Sequence, residues 1–152
     1  DLLAQNLVAP SEMEIYTCNI DGSDLKQITH LGKANWAPYF HPSDKKIIFS
    51  SNHHSTRGYD FQLFMIDITG ENLQQITWES EFNAFPMFSP DGKKIAYMTA
   101  DKDGAMQIWE MNPDGSNKTQ ISNVAGGVNC FGYAESLKNI GFWVVLFEKY
   151  QS

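Results

Sequence analysis

The 152-residue sequence is poor in cysteine and in basic residues, and it has no long apolar run. Its two cysteines, Cys18 and Cys130, are too few and too far apart for a disulfide framework or a zinc motif. Lys and Arg number 11 against 18 Asp and Glu, a net charge of −7, and the basic residues are not clustered. We therefore expect no nucleic-acid partner, which would require clustered positive charge. No apolar run approaches the length of a membrane span, so we expect no membrane insertion.

The N-terminal segment DLLAQNLVAPSE has no basic region and begins without Met, which is compatible with a mature end after signal-peptide cleavage. Within it, LLAQNLV (2–8) predicts at most a short helical turn.

The rest of the sequence contains an internal repeat. LKQITH (25–30) recurs as LQQITW (73–78) and as KTQISN (118–123), with shifts of 48 and 45 residues. NWAPYFHPSDKKIIFSS (35–51) recurs with the same two shifts as NAFPMFSPDGKKIAYMT (83–99) and, more weakly, as VNCFGYAESLKNIGFWV (128–144). Because the shifts agree between independent landmarks, we interpret the last segment as a genuine copy.

Each repeat predicts four short antiparallel strands. A polar turn (SDKK or PDGKK) precedes a run rich in Ile, Phe and Tyr, a loop of varying length follows, and a third strand then enters a hairpin through a DG or TG turn. Four such strands in 45 to 48 residues are typical of a β-propeller blade. The predicted fold class is therefore all-β.

The stretch FSPDGKKIAYM, followed by QIWEMNPDGSNKTQIS, resembles the repeat of TolB-type β-propellers, which are relatives of WD-type repeats. The resemblance covers residues 13–123 well and 128–144 weakly. It implies strands A to D, ordered outward from a central channel. It also implies a C–D half-blade (13–30), two full blades (35–78 and 83–123) and an A–B half-blade (128–148).

The two half-blades add up to one, so the sequence encodes about three blades, whereas propeller rings have four to eight. We therefore expect a homodimer in which the A–B pair of each copy joins the C–D pair of the other, giving a six-bladed ring with two-fold symmetry. The alternative is that the sequence is a fragment of a longer propeller.

In such a blade the B–C and D–A connections share one face, and the longest connection is NHHSTRGYDF (52–61). The predicted ligand-binding residues lie on this loop and its neighbour: His30, Lys33, Asn35, Trp36, Asn52, His53, His54, Arg57, Tyr59 and Asp60. One interpretation is an anion site with a forked Arg57 donor. A second is a metal site at His53, His54 and Asp60. In a third, Asn52 and Asp60 brace the loop and the histidines are solvated.

The sequence has no catalytic motif, and it calls for no metal or cofactor. Cys18 and Cys130 are expected to be buried within strands. The expected function is a non-catalytic module that binds a protein or small ligand at the loop-rich face. The alternatives, from resemblance, are a metal-dependent lyase acting on acidic sugars and the gating domain of a prolyl-oligopeptidase-like hydrolase. Resemblance to TolB also implies a periplasmic location.

Overall fold

A computed structural model of the chain describes residues 12–79, 82–128, 132–135 and 140–143. These residues form β-strands and connecting turns, without a helix. The strands are β1 (Tyr16–Thr17), β2 (Lys26–Gln27), β3 (Asn35–Phe40), β4 (Lys46–Ser51), β5 (Gln62–Asp67), β6 (Gln74–Gln75), β7 (Asn83–Phe88), β8 (Ile95–Ala100), β9 (Met106–Met111), β10 (Thr119–Gln120), β11 (Gly132–Glu135) and β12 (Ile140–Trp143).

The strands pair as antiparallel meanders. One four-stranded sheet has the order β3-β4-β5-β6 and a second has β7-β8-β9-β10, while β1-β2 and β11-β12 are two-stranded. The all-β class and the antiparallel four-stranded sheets expected from the repeat are thereby confirmed. Within the described ranges there is no helix that could cross a membrane.

The fourth strand of each repeat is shorter than its sequence predicts. The segments LKQIT, LQQIT and KTQIS predict strands over 25–29, 73–77 and 118–122, whereas β2, β6 and β10 have two residues each. A threonine or serine hydroxyl explains the difference. Thr77 Oγ1 accepts a hydrogen bond from the backbone N–H of Leu63 at 2.9 Å, in place of a backbone carbonyl of the ladder. Thr29 does the same in the hairpin of β1 and β2, and Ser122 in the hairpin of β9 and β10, at 2.8 Å in each case. The side chain therefore ends the backbone ladder early.

The hydrophobic core lies between successive sheets. Ile48 and Leu63 of the first four-stranded sheet pack against Phe88 and Tyr97 of the second, and all four are at most 2% exposed. The opposite face of the first sheet packs on β1-β2 in the same way, in a cluster that contains Ile15, Ile28, Phe49 and Phe64. Because the first four-stranded sheet is covered on both faces, its central strands β4 and β5 are apolar in nearly continuous runs.

A glycine turn recurs in the three hairpins β1-β2, β5-β6 and β9-β10. Gly22, Gly70 and Gly115 all adopt a left-handed φ, between 82° and 87°. A Cβ on Gly115 would lie 2.4 Å from the carbonyl oxygen of Ile76 in the preceding sheet, and one on Gly70 would lie 3.0 Å from that of Ile28. Gly22 has nothing within 4 Å. At Gly70 and Gly115 the turn therefore packs closely against the backbone of the preceding sheet.

The prediction for Cys18 is wrong. This residue lies beyond the end of β1 and is exposed, because the two-residue ladder gives way to a turn at Asn19–Gly22. Cys130 and the segment 2–8 lie outside the described residues.

Candidate binding face

A repeated polar network fixes the connections that form the loop-rich face. Thr77 Oγ1 donates to Gln62 Oε1 at 2.8 Å, and Asn83 Nδ2 donates to the same oxygen at 3.1 Å. In the first copy a carboxylate replaces the amide: Glu14 Oε2 accepts from Thr29 and from Asn35, at 2.5 and 3.2 Å. Each network joins the outer hairpin of one sheet to the first strand of the next.

Asn52 anchors the long loop between β4 and β5. It is 3% exposed, its Oδ1 accepts the backbone N–H of Ala34 at 2.8 Å, and its Nδ2 donates to the carbonyl of Gly58 at 2.6 Å. The same side chain therefore fixes both ends of the loop and ties it to the preceding connection. Lys33 adds to this tie by donating to the carbonyls of His53 and Ser55.

Asp60 braces the loop from within. Arg57 Nη2 donates to its Oδ1 at 2.8 Å, and Ser55 Oγ donates to its Oδ2 at 3.0 Å. The Arg57 guanidinium carbon also lies 5.0 Å from the centre of the Tyr59 ring, within the range of a cation–π contact. Because Arg57 already contacts Asp60 and Tyr59, an anion would have to displace the Asp60 carboxylate to bind the guanidinium group.

The two histidine rings lie against the core residue Phe64. The His53 ring lies 3.9 Å from that of His54 and 4.4 Å from that of Phe64, measured between centroids. Ser51 Oγ donates to Asn35 at 2.6 Å, so its contact of 2.8 Å with His53 Nδ1 requires a proton on that nitrogen. His53 is therefore half-buried and held in one orientation, while His54 is exposed.

This environment lowers the pKa of His53 from 6.5 to about 4, chiefly through desolvation and then through the neighbouring His54 and Lys33. The unfolded chain therefore takes up a proton before the folded one does. The free energy of unfolding therefore has its full value above pH 6.5, and it decreases as the pH falls towards about 4. Because the ring is partly exposed, we expect a loss on the order of 1 kcal/mol.

Urea denaturation at about pH 7 and about pH 4.5 measures this loss, and His53→Gln should reduce it. His30→Gln, which alters an exposed histidine, should leave the loss unchanged. Equal losses in the wild type and in His53→Gln would contradict the assignment to His53.

An aromatic cluster occupies the inner end of the same face. The Trp36 ring packs edge-on against Phe61 and Phe85, with centroid distances of 5.5 and 4.9 Å, and lies 6.3 Å from Phe82. Phe85 stands in a bulge of β7 with φ of 52°, and Ala37 stands in the matching bulge of β3 with φ of 51°. The bulge turns Phe85 outward, so that 37% of it is exposed.

The structure thus groups the predicted site residues into three sets. Lys33, Asn52, Arg57, Tyr59 and Asp60 form a braced loop, Asn35 joins His53 through Ser51, and Trp36 belongs to the aromatic cluster. His30 is exposed. The described residues bring no three His, Cys, Asp or Glu side chains together as a metal site would require. Bracing by Asn52 and Asp60 agrees with the third interpretation of the loop, although His53 is not solvated.

Sequence reasoning missed Glu14, Ser51, Ser55, Phe61 and Phe82. A signal was available for the first of these, because Glu14 aligns with Gln62 and Gln107 at the repeat shifts of 48 and 45 residues. The hydroxyl of Ser51 and the ring of Phe82 act through contacts with residues far along the chain, and spacing alone does not reveal such contacts.

Comparison with known families identifies the fold. The model of the TolB β-propeller domain matches residues 2–133 of the chain. The chain belongs to the TolB β-propeller family. Its two four-stranded sheets are accordingly propeller blades of the TolB type. No curated protein matches the chain.

Solved structures agree with this assignment. A TolB protein from Agrobacterium tumefaciens is 25% identical with a TM-score of 0.62, and the match covers 70% of this chain and 40% of that one. TolB from Acinetobacter baumannii is 23% identical with a TM-score of 0.58, and the match covers 70% and 26% of the two chains. A chain of a nidogen–laminin complex shares the fold at 13% identity with a TM-score of 0.56, over 70% and 39%. The match thus spans less than half the length of these relatives.

Proposed function

We propose that this TolB-like propeller is a non-catalytic binding module that recognises a protein ligand at its loop-rich face. The observation that carries the proposal is a set of exposed aromatic side chains around the braced loop: Tyr59 is 55% exposed, Trp78 68% and Phe85 37%. Aromatic and Arg side chains are enriched in protein interfaces, where they contribute most of the binding energy. Bracing by Asn52 and Asp60 supports this role, because a rigid loop loses little entropy on binding.

A pair of double variants tests the binding face. Tyr59→Ala with Trp78→Ala removes two exposed aromatics from the loop-rich face. Ile20→Ala with Leu25→Ala removes two exposed apolar side chains at the hairpin end of β1 and β2. All four residues are exposed, so we expect both proteins to stay folded, as circular dichroism can verify.

Immobilised wild type and both double variants are used to capture proteins from a bacterial envelope extract, and each captured protein is then purified and titrated directly. We expect a partner whose affinity falls at least about ten-fold in the first double variant and is unchanged in the second. A partner that binds all three proteins equally, or one lost only with the Ile20 and Leu25 variant, would contradict the proposal. Periplasmic location, the setting that the resemblance implies, is tested by fractionation of the source cells.

The enzymatic alternatives have less support. A metal-dependent lyase needs several converging ligands, whereas the His53 and His54 rings lie against each other, and their Nδ1 atoms contact Ser51 and Gln75, respectively. A gating role depends on a hydrolase domain. One equivalent of tightly bound metal per chain in purified protein would favour the lyase instead.

We also propose that the two-stranded sheets complete a blade between two copies. β1-β2 covers one face of the first blade through Ile15 and Ile28, and by the repeat shift of 48 residues it corresponds to the outer pair β5-β6 of that blade. β11-β12 corresponds to an inner pair of strands. Pairing β12 of each copy with β1 of the other gives a closed six-bladed ring and removes unpaired edges, which otherwise favour aggregation.

Light scattering at micromolar concentration checks this closure. We expect a particle of twice 17.2 kDa for the 152-residue chain. A monomer of 17.2 kDa, or a polydisperse aggregate, would contradict the dimer.

A further inference from the structure

The end of β3 exposes an apolar ring whose equivalent in the second blade is buried. The repeat shift of 48 residues aligns Phe40 with Phe88. Phe40 is 47% exposed, whereas Phe88 is 1% exposed. The ring of His41, which follows β3 in the first blade, packs edge-on against Phe88 at a centroid distance of 4.7 Å. Among the described residues, Phe40 has no such cover from the inner strand pair of a preceding blade.

Cys18, directly after β1, shows the same contrast. The repeat shifts of 48 and 45 residues align it with Ile66 and Met111. Both of these residues are at most 3% exposed, and in the ladders they lie opposite Ile47 and Ile95 of the second strands of their blades. Cys18 is exposed, and of the described strands only β2 pairs with β1. A second strand along the free edge of β1 would therefore cover Cys18.

The two exposed positions belong to one surface. An open groove of about 740 Å³ lies between the β1-β2 hairpin and the first blade. It is lined by Cys18, Ile28, Phe40 and Ile68, among other residues that are mostly polar. In the second blade the inner strands of the preceding blade cover the position equivalent to Phe40, and in both full blades a second strand covers the position equivalent to Cys18. The groove is therefore shaped for an inner strand pair.

The chain contains a strand pair of this type. By the shift of 45 residues, β12 (Ile140–Trp143) corresponds to the first four residues of β8, the strand that lies opposite Met111 in the second blade. Of the described strands, only β11 pairs with β12, so the other edge of β12 is free. A ring closed within one copy would have fewer than the four to eight blades of propellers, so the occupant of the groove comes from a second copy.

We propose that β12 of one copy pairs with β1 of the other in the register that places Ile140 opposite Cys18, and that this pairing buries Cys18 in the interface. The register follows from the second blade, in which Ile95 lies opposite Met111. A slip by one residue would turn every side chain of β12 to the other face of the sheet. The turn end of the same strand pair would cover Phe40. This inference rests on the proposed two-copy ring, to which it adds the register and the burial of the thiol.

A cross-link tests the register. In Ile140→Cys the new thiol would lie directly opposite Cys18 of the other copy, at a Cα separation of about 5 Å, which a disulfide spans. In the control, Gly141→Cys, the thiol would face the other side of the sheet. Both variants also carry Cys130→Ser, so that Cys18 is the remaining native thiol. After incubation with oxidised glutathione, we expect at least about ten-fold more dimer linked between residues 18 and 140 than between 18 and 141. Equal yields would overturn the register.

Thiol labelling tests the burial of Cys18 without changing the proposed interface. Lys102→Cys places a reference thiol outside the groove, at a side chain that is 86% exposed. Labelling with N-ethylmaleimide and peptide mapping report the two thiols separately, and we expect Cys18 to react at least about ten-fold more slowly. Equal rates in a protein that light scattering shows to be a dimer would overturn this inference and leave the dimer in place. Equal rates in a monomer would overturn both this inference and the two-copy ring.

Discussion

Replacing Gly115 with alanine is expected to destabilise the protein by about 2–5 kcal/mol, whereas Gly22→Ala should cost only about 1–2 kcal/mol. The two turns have nearly the same sequence, DGS, and nearly the same φ, 83° and 82°. The conformational cost of a Cβ is therefore common to both. Only at Gly115 would the Cβ also lie 2.4 Å from a backbone carbonyl, that of Ile76, which cannot move without separating the two blades.

Urea denaturation of the two variants measures the difference, and a common m-value would show that the native states are equally compact. The excess cost in Gly115→Ala is the contribution of close packing between blades. If the free energy of unfolding decreases equally in both variants, close packing of the Gly115 turn on Ile76 does not contribute to the stability.

The second large effect is expected at Asn52. Asn52→Ala removes the partners of the Ala34 N–H and the Gly58 carbonyl, and Ala34 is fully buried. Leaving these groups unpaired should cost about 2–4 kcal/mol. Asn112→Ala is the matched control, because Asn112 Nδ2 makes one exposed hydrogen bond to Ser116, and its loss should cost about 0.5–1 kcal/mol.

Equilibrium denaturation gives the global cost, and limited proteolysis reports the loop itself. We expect cleavage within residues 52–60 to be faster in Asn52→Ala than in Asn112→Ala under conditions where both are folded. If the Asn52 variant is as stable and as resistant as the control, the loop is held by other contacts, and the preorganised face that we propose has lost its support.

The repeat made the fold predictable, because the shifts of 48 and 45 residues align strand and turn positions independently of any single propensity. The lengths of the outer strands were not predictable in the same way. The sequence predicts that Thr29 and Thr77 end β-strands, because β-branched residues favour strands. In the structure their hydroxyls replace a ladder carbonyl, and the choice between these two partners depends on where Ile15 and Leu63 lie in space.

The candidate site was predictable in position but not in its internal chemistry. Loop length pointed to residues 52–60, and Asn and Asp are residue types that brace loops. The ring contacts of His53 with Phe64 and of Trp36 with Phe85 join residues that the sequence separates by 11 and 49 positions, respectively. The contact of His53 with Phe64 depends on how the loop folds back over β5, and the contact of Trp36 with Phe85 requires the two sheets to be stacked. No local pattern in the sequence encodes either distance.

The hydroxyl–amide network also affects how strongly neighbouring blades resist separation. Asn35 and Asn83 each stand at the start of a blade and bond back to the hairpin before it, and their backbone N–H groups bond back as well, at 3.0 and 2.9 Å. A force that separates neighbouring blades must therefore break these buried bonds together, in addition to straightening the connecting chain. These bonds lie beside the connections of the loop-rich face, so separation of neighbouring blades is resisted at the same edge where the proposed ligand would bind.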